Sequence, residues 1–328
     1  MKKILVFAIS LIAIGFNSCV TSYQMVSQGE SFDALTKITD SKKICAFPNG
    51  GDNGKNLVFS AQDDDGAYNI YKKDNVLSSA LIQKTSGNNF NLCPNYCSSK
   101  DLIAFQYLAK TNFDIYYINA SKGKAITQIT STEENEYNPC FSSDGKMIVF
   151  EKGTSPKYYV KYKTTSNAIT YVKGVKITEN QIWIKNLESG ELKMIGQGSY
   201  PKFSPDDSKI VFVKYELNKM KTSETGTICI ISNDGESQSQ ITGTDLGYAT
   251  WPNWSPDGKN IVFQLTKPNK LDSDIYTIEV DGENLKQHTV NKSDDFAPYW
   301  TSDNYIFFTS DRGSKQGAYQ IWRFKVVQ

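Results

Sequence analysis

Histidine is almost missing from this chain: one residue, His288, in 328. A zinc centre built on several histidines is thereby excluded, and a propeller lyase that relies on histidine-held metal is not expected. His288 itself falls among ordinary polar positions of a strand and reads as structural. No C-x-x-C pair occurs among the six cysteines, which removes the usual redox and zinc-ribbon signatures. Cys93 and Cys97 lie on one expected strand, roughly 13 Å apart at about 3.3 Å per residue, too far to bridge each other. Cys45, Cys93, Cys97, Cys140 and Cys229 read as buried thiols acting as small apolar residues, with one inter-strand disulfide left open. There is no P-loop and no dinucleotide fingerprint. The nearest approach to a G-x-S-x-G nucleophile elbow, Gly235-Glu236-Ser237-Gln238-Ser239, lacks its last glycine. The acidic run Asp63-Asp64-Asp65-Gly66 does not alternate as a calcium loop requires and reads as solvated.

Excess charge is also missing. Lys plus Arg total 36 against 35 Asp plus Glu, so no basic field exists to attract nucleic acid. The one long apolar run, residues 4–14, is too short for a comfortable membrane span. It follows Lys2 and Lys3 and leads into Gly15-Phe16-Asn17-Ser18-Cys19, which resembles a bacterial lipoprotein signal. Phe16 and Asn17 depart from the usual leucine and small residue of that signal. The expectation is a signal peptide over 1–18, a lipid on Cys19, a tether over 19–31 and a folded domain over 32–328.

What is present in quantity is aromatic residues and tight turns, with 19 Tyr and 17 Phe. The stretch 251–263, W-P-N-W-S-P-D-G-K-N-I-V-F, reads as two short strands joined by a turn. Pro presets φ, Asp bonds its own backbone, and Gly accepts the left-handed conformation. The pattern recurs. Pro48, Pro94, Pro139, Pro201 and Pro252 each precede a phenylalanine at one constant spacing: Phe59, Phe105, Phe150, Phe212 and Phe263. Pro298 and Phe308 form a sixth copy, one residue shorter, with Asp303-Asn304 at the turn. Asp206-Asp207 and Ser99-Lys100 are weaker forms of that turn.

A third strand follows in each unit, at Ile70, Ile115, Ile182, Ile228, Ile275 and Ile321, and a fourth often ends in Thr. Four short antiparallel strands per unit predict an all-β, six-bladed propeller. The last unit stops after its third strand, while Ala34 to Thr39 reads as a fourth. Thr39 precedes Pro48 by the spacing that separates Thr85 from Pro94, Thr130 from Pro139 and Thr289 from Pro298. The N-terminal strand is therefore expected to complete the last blade and close the ring.

The units F-S-P-D-D-S-K-I-V-F (203–212) and W-S-P-D-G-K-N-I-V-F (254–263), with F-T-S-D-R-G (308–313) followed by Gln320-Ile321-Trp322, resemble the repeats of TolB-like β-propellers. The resemblance covers roughly residues 32–328 and implies the architecture far more than a function. TolB carries an α/β domain ahead of its propeller, for which this chain has no room, so TolB's own partners are not carried over. Asp311-Arg312-Gly313 is a recurring loop element in such repeats and implies an internal Asp–Arg pairing or a turn role.

Connections between second and third strands vary most among the six units. The one from Phe150 to Ile182 is about three times as long as that from Phe59 to Ile70. Loops on a rigid scaffold carry function, so the face they share with the inter-blade connectors is the expected binding face. The blade-three insertion alternates Tyr, Lys, Val and Thr around a polar centre and predicts a projecting hairpin. Candidate contact residues are Tyr158, Tyr159, Lys161, Tyr162 and Tyr171 of this hairpin, with Tyr107, Lys214, Tyr215 and Arg312 from other blades. The expectation is a monomeric propeller without catalytic centre, metal or cofactor. It binds one or more envelope proteins at the periplasmic side of the outer membrane or the cell surface. Two alternatives stand beside it: carbohydrate or small-ligand binding at the channel mouth, and a lyase or hydrolase assembled from Asp, Glu and Tyr of several blades.

Overall fold

The computed structural model describes residues 35–50, 54–108, 111–122, 125–153, 157–165, 168–217, 223–314 and 318–326. The expected signal segment, Cys19 and the tether lie outside the described residues. Six four-stranded antiparallel sheets are arranged as the repeat predicts. Blade one comprises β2 (Cys45–Gly50), β3 (Leu57–Gln62), β4 (Tyr68–Lys73) and β5 (Ile82–Gln83). Blade two comprises β6 (Asn91–Cys97), β7 (Leu102–Leu108), β8 (Phe113–Asn119) and β9 (Ile126–Gln128). Blade three uses β10 (Glu136–Phe141), β11 (Met147–Lys152), β14 (Gln181–Asn186) and β15 (Leu192–Gln197). Between its second and third strands, β12 (Lys157–Thr165) and β13 (Ala168–Ile177) form a separate two-stranded sheet, the expected hairpin. Blade four is β16 (Ser199–Phe203), β17 (Lys209–Leu217), β18 (Glu224–Ser232) and β19 (Gln238–Gln240). Blade five is β20 (Tyr248–Trp254), β21 (Asn260–Thr266), β22 (Asp274–Glu279) and β23 (Lys286–Gln287).

Blade six joins β24 (Asp295–Trp300), β25 (Tyr305–Ser310) and β26 (Gln320–Lys325) to β1 (Leu35–Lys37). Leu35 pairs with Phe324 and Lys37 with Trp322, so the ring closes through the N-terminal strand. The threonine spacing now has a cause. The hydroxyls of Thr85, Thr130, Thr242 and Thr289 accept the amide N–H of Ile70, Ile115, Ile228 and Ile275, each at 2.8 Å. Thr39 accepts from Ile321 in the same way at 2.9 Å. A buried N–H where the short fourth strand ends would otherwise go unpaired.

Six of the seven apolar clusters are seams between neighbouring blades. Each anchor phenylalanine sits in the seam with the preceding blade: Phe59 packs towards Phe307 and Ile321, Phe105 towards Val58 and Ile70, Phe263 towards Val211 and Ile228. All six anchors are at most 2% exposed. The seventh cluster gathers Phe47, Leu92, Cys93 and Ala297 at the axis. All five described cysteines are free and buried.

The Pro-Asp-Gly turn closes as its composition requires. In blade five the Gly258 N–H reaches Ser255 O at 2.9 Å, the Ser255 hydroxyl donates to Asp257 at 2.6 Å, and Gly258 has φ of 69°. Asp207 and Asn304 take the same left-handed conformation in blades four and six. Blade two differs from the expected Ser99-Lys100 turn. There the positive φ falls on Asp101, one residue later, and its N–H bonds to Ser98 O at 3.3 Å.

Candidate functional site

The repeated prolines do more than flank a turn. The residue before each one has a positive φ: Phe47, Cys93, Asn138, Tyr200, Trp251 and Ala297, between 49° and 59°. Each sits at a register shift between first and second strands. An irregularity of this kind re-aims side chains locally, and the conformation is costly for any residue other than glycine. Five of the six side chains, those of Phe47, Cys93, Tyr200, Trp251 and Ala297, line one pocket at the axis, while Asn138 turns its amide to Glu151. At this level the lumen holds a void of only about 30 Å³, bounded by Phe47, Cys93, Tyr200, Trp251 and Ala297. The rings of Phe47, Trp251 and Tyr200, from blades one, five and four, meet across it with centroids 5.2 and 4.4 Å apart. The channel is plugged here.

Phe47, Tyr200 and Trp251 also form the floor of a larger cavity of about 430 Å³. Its walls come from blades four to six. They include Glu224 at the start of β18, Lys270, Leu271 and Ser273 between β21 and β22, Asp294 ahead of β24, and Tyr319 ahead of β26. These are second-to-third connections and inter-blade connectors, the face of variable loops. The rings run in one arc. Tyr200 lies 4.4 Å from Trp251, Trp251 is stacked 5.2 Å from Phe47, Phe47 is 6.0 Å from Phe296, and Phe296 is 5.1 Å from Tyr319. Leu271 is 94% exposed at the rim.

Two carboxylates border the arc. Asp294 Oδ1 accepts from the Ser273 N–H at 3.2 Å and the Ser273 hydroxyl at 3.3 Å. Burial pushes its pKa up to about 6, helped by the charges of Asp311 and Asp272 and opposed by Ser273. Glu224 is held by the Thr178 N–H and hydroxyl. Beneath the floor, Glu151 is 4% exposed and accepts from Asn138 Nδ2 at 2.9 Å, Ser199 Oγ at 3.0 Å, the Tyr200 N–H at 2.9 Å and Asn180 Nδ2. Burial raises its pKa, while those four donors favour the ionised form.

Two further carboxyl pairs lie in the seams. Asn91 Nδ2 donates to Asn69 Oδ1 at 3.1 Å between blades one and two. The equivalent positions between blades two and three carry Asp114 and Glu136, and between blades five and six Asp274 and Asp295. Burial is the largest cause that raises Glu136 to about 7, with Asp114 adding to it. Burial and then Asp295 raise Asp274 to about 7. A carboxyl that keeps its proton in the folded state adds stability that is complete below pH 4 and lost as pH rises through 7. His288 acts in the opposite sense. Burial lowers it to about 4, so it destabilises as pH falls below its ordinary 6.5. The unfolding free energy from urea denaturation is therefore expected to drop between pH 5.5 and 8.5, by on the order of 2 kcal/mol for each of Glu136 and Asp274. Glu136→Gln with Asp274→Asn should flatten that slope; an unchanged slope in the double variant would contradict it.

The expected contact residues scatter. Tyr158, Tyr159, Lys161, Tyr162 and Tyr171 lie on the hairpin, with Tyr162 opposite Tyr171 and Tyr158 opposite Lys176. Tyr107 tilts against Tyr116 at 4.8 Å and its hydroxyl accepts from Asn89 at 2.9 Å, outside the cavity. Lys214 pairs with Glu216 at 2.9 Å and remains half-exposed. Tyr215 and Arg312 need correction as contact residues. Tyr215 is buried in the seam of blades four and five, stacked 5.9 Å from Tyr248. Arg312 is buried and bonds Asp295 at 2.5 Å, so its internal partner is Asp295 rather than the adjacent Asp311. His288 bonds Thr277 at 2.8 Å and stacks on Phe324, a structural role. Asp63 turns onto its own blade, accepting from Asn69 at 2.7 Å and Tyr71 at 2.6 Å. Among the described residues, no three His, Cys, Asp or Glu side chains converge as a metal site. The repeat spacing does not announce the aromatic arc, although Phe47, Tyr200 and Trp251 each directly precede a repeat proline.

Comparison with known proteins follows the architecture. Residues 200–328 match the family model of the TolB beta propeller domain. The Tol-Pal system protein TolB of Francisella tularensis subsp. mediasiatica is 27% identical over 223 residues, covering 67% of this chain and 46% of that protein. The chain spans about half or less of the length of the curated relatives it matches. A solved structure assigned as TolB from Agrobacterium tumefaciens superposes with a TM-score of 0.59 at 16% identity, over 90% of this chain and 97% of that one. Oligogalacturonate lyase from Vibrio parahaemolyticus does so with 0.56 at 17%, over 90% and 94%. Identities this low speak for the shared fold alone. The repeat motifs and the family match over blades four to six make residues 200–328 similar to the TolB propeller domain, and the closed six-blade ring gives the whole described chain a β-propeller fold.

Proposed function

We propose that this chain is a non-catalytic, protein-binding propeller of the bacterial cell envelope. It is tethered by a lipid on Cys19 at the periplasmic side of the outer membrane or the cell surface. The observation that carries the reading is the plugged lumen beneath an open aromatic hollow. Rings from blades one, four and five meet across the lumen, and the hollow beside them offers about 430 Å³ lined by five rings in successive contact. Large, stiff aromatic side chains around a pocket are what interface hot spots are made of. The exposed Leu271 at the rim extends that apolar surface outward. Both border carboxylates are held by donors of their own surroundings, Ser273 and Thr178, which suits fixed recognition groups.

A small ligand such as a sugar is the second reading, favoured by the cavity volume, which falls within the range of ligand pockets. The two separate in one experiment. Full-length chain is used to capture partners from detergent-solubilised envelope, in parallel with a glycan array. Leu271→Asp, which changes an exposed side chain, should lower protein capture at least about tenfold and leave the melting temperature unchanged. Capture insensitive to Leu271→Asp but lost on removing residues 157–177 would move the site to the hairpin. Glycan binding with no protein capture would favour the second reading.

A further inference from the structure

The chemistry of the hollow is more specific than its shape. We propose that the cavity recognises a basic side chain, lysine or arginine, presented by an extended segment of the partner protein, which rests on the hollow being the partner-binding site. The π-faces of an aromatic arc attract a cation within about 6 Å, more strongly as water is excluded. Here Tyr200, Trp251, Phe47, Phe296 and Tyr319 form one continuous arc, with successive centroids 4.4 to 6.0 Å apart. Asp294 and Glu224 line the same cavity, so carboxylates are at hand for a cation seated among the rings.

Of the charged side chains lining the cavity among the described residues, Glu224 and Asp294 are acidic and Lys270 is basic, and Lys202 lies against the same rings from below. Asp272 and Asp311 stand close enough to Asp294 to raise its pKa. Lys270 Nζ lies 3.7 Å from Asp272 Oδ2 on the same loop, so its charge is met locally. The guanidinium of Arg312 is engaged by Asp295 at 2.5 Å. Glu151, below the floor, is surrounded by donors that favour its ionised form. The cavity thus presents electron-rich ring faces and carboxylates to whatever enters. An arriving cation would offset the desolvation that holds Asp294 partly protonated. Leu271, beside the opening, adds an apolar contact for the residue next to the basic one. That pairing favours a peptide segment over a free ammonium compound.

The test uses the purified full-length chain and three probes: tetralysine peptide, tetraglutamate peptide and tetramethylammonium. Binding is followed by tryptophan emission and by calorimetry, with Trp251→Phe assigning the optical change to the cavity. The proposal expects saturable binding of tetralysine, none of tetraglutamate, and at least a tenfold loss with the near-isosteric Asp294→Asn. Affinity for tetralysine should rise from pH 5 to pH 7.5 in the wild type, as Asp294 loses its proton, and rise less in Asp294→Asn. Equal binding of tetraglutamate, or tetralysine binding untouched by Asp294→Asn, would overturn it. Tetramethylammonium binding without tetralysine binding would also overturn it, since the source would then be a free cation. If tetralysine fails while Leu271→Asp still abolishes partner capture, the cation claim falls and the binding face stands. If both fail, the reading of the hollow falls with it.

Discussion

Replacing Arg312 with alanine is expected to cost about 3–5 kcal/mol of folding stability, the largest effect of any single substitution considered for this chain. Asp295 opens β24, has no measurable exposure and meets Arg312 Nη2 at 2.5 Å. Arg312 is fixed by a second bond from Nε to Ser310 Oγ at 3.0 Å and lies over the rings of Phe308 and Trp322, at 5.0 and 5.8 Å. Truncation removes those contacts and strands a buried carboxylate whose pKa burial already pushes up to about 6. Adding Asp295→Asn to Arg312→Ala should recover about half of the loss, because the stranded charge goes with it. The loss should also be smaller at pH 5 than at pH 8, where the carboxyl must ionise. Urea denaturation of the four members of the cycle measures all three statements. A single-variant cost below about 1 kcal/mol would show that the pair is not what holds this loop.

Opening the ring should be of similar or greater size. Deleting residues 35–39 removes β1, exposes the outer edge of β26 and uncovers the site of Ile38, which is 6% exposed. It also takes away the Ile38 carbonyl that accepts from the buried Lys73 ammonium at 2.8 Å and the Thr39 hydroxyl that accepts from Ile321. Burial of one isoleucine contributes about 2 kcal/mol, and an unsatisfied buried ammonium costs at least as much again, so a loss of about 4 kcal/mol or more is expected. The free edge should in addition promote association, visible as light scattering at concentrations where the full chain stays monomeric. A truncated chain with the full chain's urea midpoint and no scattering would mean that blade six holds without its fourth strand.

Much of this architecture can be read directly in the chain because its determinants are local and repeated. Turn residues, the phenylalanine anchor and the Ile and Thr positions recur in register, and the match of Thr39 to the pattern locates the closure. Where the structure departs from the repeat, the cause is also local. The Ser98–Asp101 turn places its left-handed residue one position late, on an aspartate, and no spacing rule announces that. The candidate site is not legible for a different reason. Its rings come from blades one, four, five and six, and they become neighbours only when the ring closes. The position before each proline is visible, yet its occupants, Phe47, Cys93, Asn138, Tyr200, Trp251 and Ala297, share no chemistry. What they share is a left-handed backbone at a register shift, which brings five of the six to one axial pocket. Tyr215 and Arg312 mislead because aromatic and basic residues near loops resemble contact residues until their burial is known.

If function lies on the face of the variable loops, above the plugged lumen, the opposite turns are scaffold. Hydrogen exchange of the full-length chain, with and without its captured partner, tests this most directly. The expected result is slowed exchange in residues 270–273, 294–296 and 319, the walls and rim of the hollow, with the turns at 255–258 and 301–304 unchanged. Protection confined to those turns, or to the hairpin at 157–177, would contradict it.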